Sequence, residues 1–258
     1  MSVASVGSTV ASAVDDAVFL DYKASSAFFF PGQGAQAVGM GKDAQGVEAA
    51  AELFRKAKWI LGFDLLDVCA NGPKEKLDST TISQDAADAA NSSMVSVIGL
   101  DSENVQLLCD AANEEVDEKD KVQIANFLCP GNYAVSGGVK GVEAVEAKEK
   151  SFKARMTVRL AVAGAFHTKF MEPAVSRLEA ALATTEIRSP RIPVISNVDA
   201  KPHANPDVIK KILASDFSPV QWELTVKTLL GKGLKKGYEL VGARKGYCWN
   251  CEEGGQGR

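Results

Sequence analysis

Apolar positions along this chain change their period several times, and each change marks an element. Ser26–Phe30 is a short apolar run that predicts a buried strand, and it leads directly into Pro31-Gly32-Gln33-Gly34-Ala35-Gln36. A strand ending in glycines brings backbone amides to the carboxyl edge of a sheet, where α/β proteins place ligands. Leu53, Ala57, Ile60 and Leu61 then recur at helical spacing, and Gly62 is a good stop. Asn71-Gly72-Pro73 breaks the chain.

Residues 91–164 have a rhythm of their own. Met94–Leu100 predicts a strand, and Asp101 or Ser102 can cap a helix whose Val105, Leu108, Cys109 and Ala112 share one face. Val122–Leu128 predicts a second strand, with Tyr133–Ser136 returning beside it past Pro130-Gly131-Asn132. Val142, Val145 and Phe152 mark another amphipathic helix. Met156, Val158, Leu160 and Val162 alternate with Thr157 and Arg159 as in a half-buried strand. Strand–helix–strand–strand–helix–strand is the ferredoxin-like order. Beyond it, Val175, Leu178, Ala181 and Leu182 predict a helix, Ile192–Asn197 a strand, and Val226–Leu230 a last helix. From Val241 the chain changes character, ending in a tail around Cys248-Trp249-Asn250-Cys251, and no internal repeat is found.

Composition narrows the function classes. With 258 residues, 46% hydrophobic and 24% charged, the chain can form one large domain or a large and a small one. A net charge of -4 and a pI near 5.4 exclude a general nucleic-acid surface. No apolar run approaches the ~20 residues that span a bilayer, so no membrane partner is expected. The start, MSVASVGSTVASAV, has no Lys or Arg before Lys23 and no clear transit peptide, so residues 1–25 are expected to be a disordered lead-in. Cys69, Cys109 and Cys129 sit singly in apolar contexts, as buried free thiols do. Cys248-x-x-Cys251 supplies two ligands where a closed zinc site needs four, and is expected to be an incidental part of the tail.

Six phrases, FFFPGQGAQAVGMGKD, LLDVCANGPKEKLDSTTISQ, VIGL, GAFHTKFMEPA, PVISNVDA and SPVQWE, follow one another in order. Together they resemble the malonyl-CoA:acyl-carrier-protein transacylases of type II fatty-acid synthesis, in their plant plastid form, over about residues 27–84 and 91–240. The resemblance implies an α/β fold: an α/β-hydrolase-like acyltransferase domain, here truncated, with an inserted ferredoxin-like subdomain. The large domain would comprise 26–90 and 165–240, the insert 91–164, and an aberrant tail 241–258. It also implies malonyl-CoA and acyl carrier protein as partners, no cofactor or metal, and a plastid location. His167 matches the family's general base and acid. Gln33 matches the residue whose backbone amide helps form the oxyanion hole. Phe166 resembles the ring that crowds an α-methyl branch, a selectivity worth ~1–3 kcal/mol, although it could equally be core. Asn126 aligns with a pocket-lining asparagine. Asn197 is expected to hold a turn, and His203 to have no role in the chemistry.

One part of the family pattern is missing. No Gly-x-Ser-x-Gly occurs anywhere in the chain, and TISQ passes directly to DAADAANSSM at Gln84–Asp85, where the family places its nucleophile elbow. The arginine that pairs with the malonyl carboxylate is lost with it. Ser92, Ser93, Ser136 and Cys129 lack the strand–turn–helix glycine context of an elbow. Losing a serine nucleophile costs about 10⁶-fold in turnover, so near-zero transferase activity is expected. Loss of a central strand also predicts unpaired edges and exposed apolar faces. Two smaller departures are Ser215, where a glutamine is usual, and Val241-Gly242-Ala243-Arg244 in place of Gly-Pro-Gly-Lys. The alternatives are a non-catalytic decoy that binds acyl carrier protein or CoA, and a splice or gene-model product with no function of its own.

Overall fold

A computed structural model gives the fold over residues 16–23, 25–30, 32, 36–78, 91–160, 164–215, 218–239 and 248–250. It divides into two compact units, Ile82–Thr228 with Met1–Tyr22 and Lys23–Thr81 with Leu229–Arg258. This division groups residues 165–228 with the ferredoxin-like stretch.

The second unit begins with β1, Ser26–Phe29, followed by helices α1 (Glu48–Leu61), α2 (Leu65–Asn71) and α3 (Lys74–Asp78). Gly62 ends α1 in the left-handed conformation (φ 75°), its N–H returning to the Lys58 carbonyl. Asp64 caps α2 by accepting from the Asp67 N–H at 3.0 Å, and Lys58 Nζ stands 2.9 Å from the same carboxylate. The helical spacing of Leu53, Ile60 and Leu61 was correctly legible, yet that face is exposed, and neighbouring Trp59 is 87% exposed. Period is a property of the helix, whereas burial needs a partner layer, and none covers this face among the described residues.

The first unit carries β2 (Ser92–Ile98), α4 (Ser102–Asn113), β3 (Val122–Cys129), β4 (Asn132–Gly138), α5 (Val139–Lys148) and β5 (Met156–Arg159). The sheet order β3-β4-β2-β5, antiparallel throughout, is the ferredoxin-like arrangement. Asp101 caps α4 by accepting from the Asn104 N–H at 2.8 Å. Val105, Leu108, Cys109 and Ala112 are fully buried against Val95, Val97, Val135, Val142 and Val145. Each such aliphatic side chain stabilises by roughly 1.5–3 kcal/mol. Gly141 lets α5 pass the preceding chain, since a Cβ there would stand 2.1 Å from the Asp120 carbonyl oxygen.

Three expectations change in this unit. On β5 the alternation is real but its apolar face points away from the helices, and Met156 is 44% exposed. Register decides this: Met156 pairs with Ile98 and Val158 with Ser96, so Thr157 and Arg159 face the helix side. There Arg159 donates to Glu146 of α5 at 2.9 and 2.7 Å. Cys129 is exposed because it closes β3 at the mouth of the turn, paired with Asn132. Within the expected disordered lead-in, Asp16–Phe19 forms a 3-10 turn with Phe19 buried. A large ring gains enough from burial to order a short turn.

Helices α6 (Glu172–Thr184), α7 (Pro206–Ala214) and α8 (Trp222–Gly231) follow. Ile192–Asn197 does not form the predicted strand. Ile195 makes only an isolated bridge to Pro202, and Val194 is 60% exposed. A strand needs a continuous ladder, and among the described residues this segment has only that one bridge. The second unit then closes with β6 (Lys236–Glu239), parallel to β1, and β7 (Cys248–Asn250), antiparallel to β6. Part of the tail is therefore sheet, because β6 offers it a free edge. The outer edge of β1 has no described partner, and Phe28, Tyr238 and Phe30 (74%) are exposed.

Candidate functional site

Gly164–Thr168 forms a tight turn before α6. Thr168 is buried, donates its hydroxyl to the Ala165 carbonyl at 2.6 Å, and accepts from the Phe170 N–H at 3.3 Å. That fixes the start of the 3-10 turn Lys169–Met171, which runs into α6. His167 lies on the turn with φ 60°, a left-handed backbone that costs a non-glycine residue roughly 1–2 kcal/mol.

Contacts with the ferredoxin-like sheet offset that cost. Phe166, half-buried, packs against Met171 and against Met94, Ala125 and Ala134 on the helix-free face. Gln123 Nε2 donates to the His167 carbonyl at 3.0 Å, and Ser92 Oγ accepts from the Ala165 N–H at 2.9 Å. Each such bond contributes about 0.5–1.5 kcal/mol. Neither residue lies in a family phrase, and no local signal marks either. Only the strand parity of Gln123, between buried Val122 and Ile124, shows which face it takes.

Other phrases meet on the same strand. Asn126 on β3 stands opposite Ala134 and bridges to Val220 of SPVQWE. The Phe127 N–H donates to the Val220 carbonyl and the Val220 N–H to the Ala125 carbonyl, each at 2.8 Å. The Gln221 N–H in turn donates to the Asn197 carbonyl at 2.7 Å, and Asn197 lies in the expected turn. Tyr133 donates to Glu223 at the start of α8 at 3.1 Å, and burial, then that carboxylate, push its phenol up. Strands β2 and β3 thus hold the backbone of the turn that carries a half-buried imidazole, and the same β3 ties in Val220 and, through Gln221, Asn197. An imidazole so held can accept and return a proton. Gln33 and the Gln84–Asp85 junction lie outside the described residues.

His203 is bonded within its own loop, its Nε2 2.9 Å from Asp199 Oδ2, which suits a structural part. Of the sulfurs, Cys109 is pushed up to about 12, by burial first and then by Asp110, so its thiol is inert.

No protein-family model matches the chain. It is 28% identical to the human mitochondrial malonyl-CoA-acyl carrier protein transacylase, over 85% of this chain and 75% of that protein. Identity is also 28% with the malonyl CoA-acyl carrier protein transacylase of Bacillus subtilis, over 83% of this chain and 86% of that one. The crystal structure of an acyl carrier protein S-malonyltransferase from Vibrio cholerae matches with a TM-score of 0.79 at 26% identity, covering 85% of this chain and 90% of that one. The chain is similar in sequence and fold to malonyl-CoA-acyl carrier protein transacylases. The match to that crystal structure agrees with the α/β acyltransferase fold expected from the sequence. The plastid expectation is overturned: the human, mouse and Drosophila melanogaster transacylases it resembles are mitochondrial. The match to the human transacylase extends over 291 positions, more than this chain's 258 residues, so within it positions of the human protein have no counterpart in this chain.

Proposed function

We propose that this chain is a truncated malonyl-CoA:acyl-carrier-protein transacylase that keeps the acid–base imidazole and lacks the group it activates. In the family reaction a serine Oγ attacks the malonyl thioester carbonyl. Histidine takes the serine proton and returns it to the departing CoA sulfur, and the phosphopantetheine thiol of the carrier protein then reverses these steps. His167 is assigned the proton transfers, the Gln33 amide part of the oxyanion hole, and Phe166 and Asn126 the malonyl side. The large domain is assigned to 26–90 and 165–240, the insert to 91–164.

The observation that carries the reading is the absence of any Gly-x-Ser-x-Gly from a sequence otherwise matched in order. Nearby hydroxyls are committed elsewhere: Ser92 Oγ accepts from Ala165, and Ser136, fully buried, faces the Ser93 carbonyl. Human positions without a counterpart inside the alignment, the edge of β1 with no partner among the described residues and the exposed Val194 segment support loss of a central piece. Incubation with malonyl-CoA followed by intact-mass measurement is expected to show no malonyl adduct. A covalent adduct would overturn the reading.

A second reading, a non-catalytic binder of acyl carrier protein or CoA, is favoured by the complete ferredoxin-like module beside the His167 turn. Titration with holo acyl carrier protein separates it from an inert fragment.

A further inference from the structure

The backbone under His167 is held from outside its own loop. Gln123 and Ser92 both project from the sheet face opposite α4 and α5, since Val122 and Ile124 flanking Gln123, and Val95 three positions along β2 from Ser92, fill the helix-side core. Phe166 docks on that same face through Met94, Ala125 and Ala134. The turn therefore has one apolar and two polar attachments to a rigid sheet.

We propose that Gln123 is a positioning residue for His167, with Ser92 fixing the peptide before it. The Gln123 amide donates to the His167 carbonyl at 3.0 Å and so selects the left-handed backbone, φ 60°, that sets the direction of the imidazole. Ser92 accepts from Ala165 at 2.9 Å and stops the turn rotating about its first peptide. Were φ to relax to negative values, the Cα–Cβ bond would swing and carry the ring with it. The side chain at 123 must be a donor, because a carboxylate there would set its lone pairs against those of the carbonyl. This rests on the assignment of His167 as the acid–base imidazole.

The chain has only two histidines, so the full chain with ¹³C-labelled histidine gives two imidazole Cε1–Hε1 signals, assigned through His203→Gln. Gln123→Ala is expected to split or broaden the His167 signal and shift its titration while leaving that of His203 in place. Gln123→Glu is expected to match the alanine variant with its carboxyl ionised and to regain a single His167 signal once protonated. An unchanged His167 signal in Gln123→Ala, or both histidines moving together, overturns the proposal. Should the alanine variant fail to fold, the two protonation states of Gln123→Glu make the same comparison in one sample, and a His167 signal indifferent to them overturns it equally. An acyl-enzyme found by mass would instead remove the inactive assignment without touching these spectra.

Discussion

Cys109 and Cys129 occupy opposite extremes of one module, the first fully buried on α4 and the second exposed at the end of β3. Alkylation of the native chain at pH 8, read by peptide mapping, is expected to modify Cys129 and spare Cys109. Burial raises the folded thiol of Cys109 from 9.0 to about 12, so the folded state keeps a proton that the unfolded state loses in that window. Its contribution to stability is therefore complete below pH 9 and falls as pH rises from 9 towards 12. Denaturant titrations at pH 8 and 10.5 should show a drop that Cys109→Val reduces. At Gly141 the constraint is steric. Gly141→Ala sets a Cβ 2.1 Å from the Asp120 oxygen and should cost at least about 1–3 kcal/mol in urea unfolding. His167 was legible because its phrase is local, whereas the partners that hold it, Gln123 and Ser92, come together only through sheet pairing.

Elements were read well where the period and the partner layer agree. On α4, Val105, Leu108, Cys109 and Ala112 repeat at helical spacing and are all buried, so Leu108→Ala should cost about 2–5 kcal/mol. On α1 the same kind of repeat meets no layer. Ile60→Ala should stay within about 0.5 kcal/mol, and equilibrium unfolding of the two variants makes the contrast. Asp101→Ala removes the α4 cap and is expected to cost about 1 kcal/mol. Two strands show what sequence alone leaves open. Alternation on β5 gave its period but not its inward face, which Arg159 and Glu146 settle from α5. Ile192–Asn197 has strand composition but, among the described residues, pairs only at the isolated Ile195–Pro202 bridge.

At the scale of the molecule the two units differ in how much core they hold. Ile82–Thr228 contains all the fully buried side chains among the described residues, and Lys23–Thr81 with Leu229–Arg258 buries little beyond Val68, Ala70 and Leu234. Hydrogen exchange is expected to protect β3 and β4 most and α1 least, with heating opening the second unit first. One sharp cooperative melt of monomeric protein would contradict that order. β7 bears on what the weaker unit can do when crowded. By covering the far side of β6 it replaces that edge of the sheet with a strand of only 3 residues, while the 4-residue β1 forms the other edge. Two molecules could join along β1, and any growth beyond that pair would have to pass through the short β7, which offers too few backbone groups to seed a filament readily.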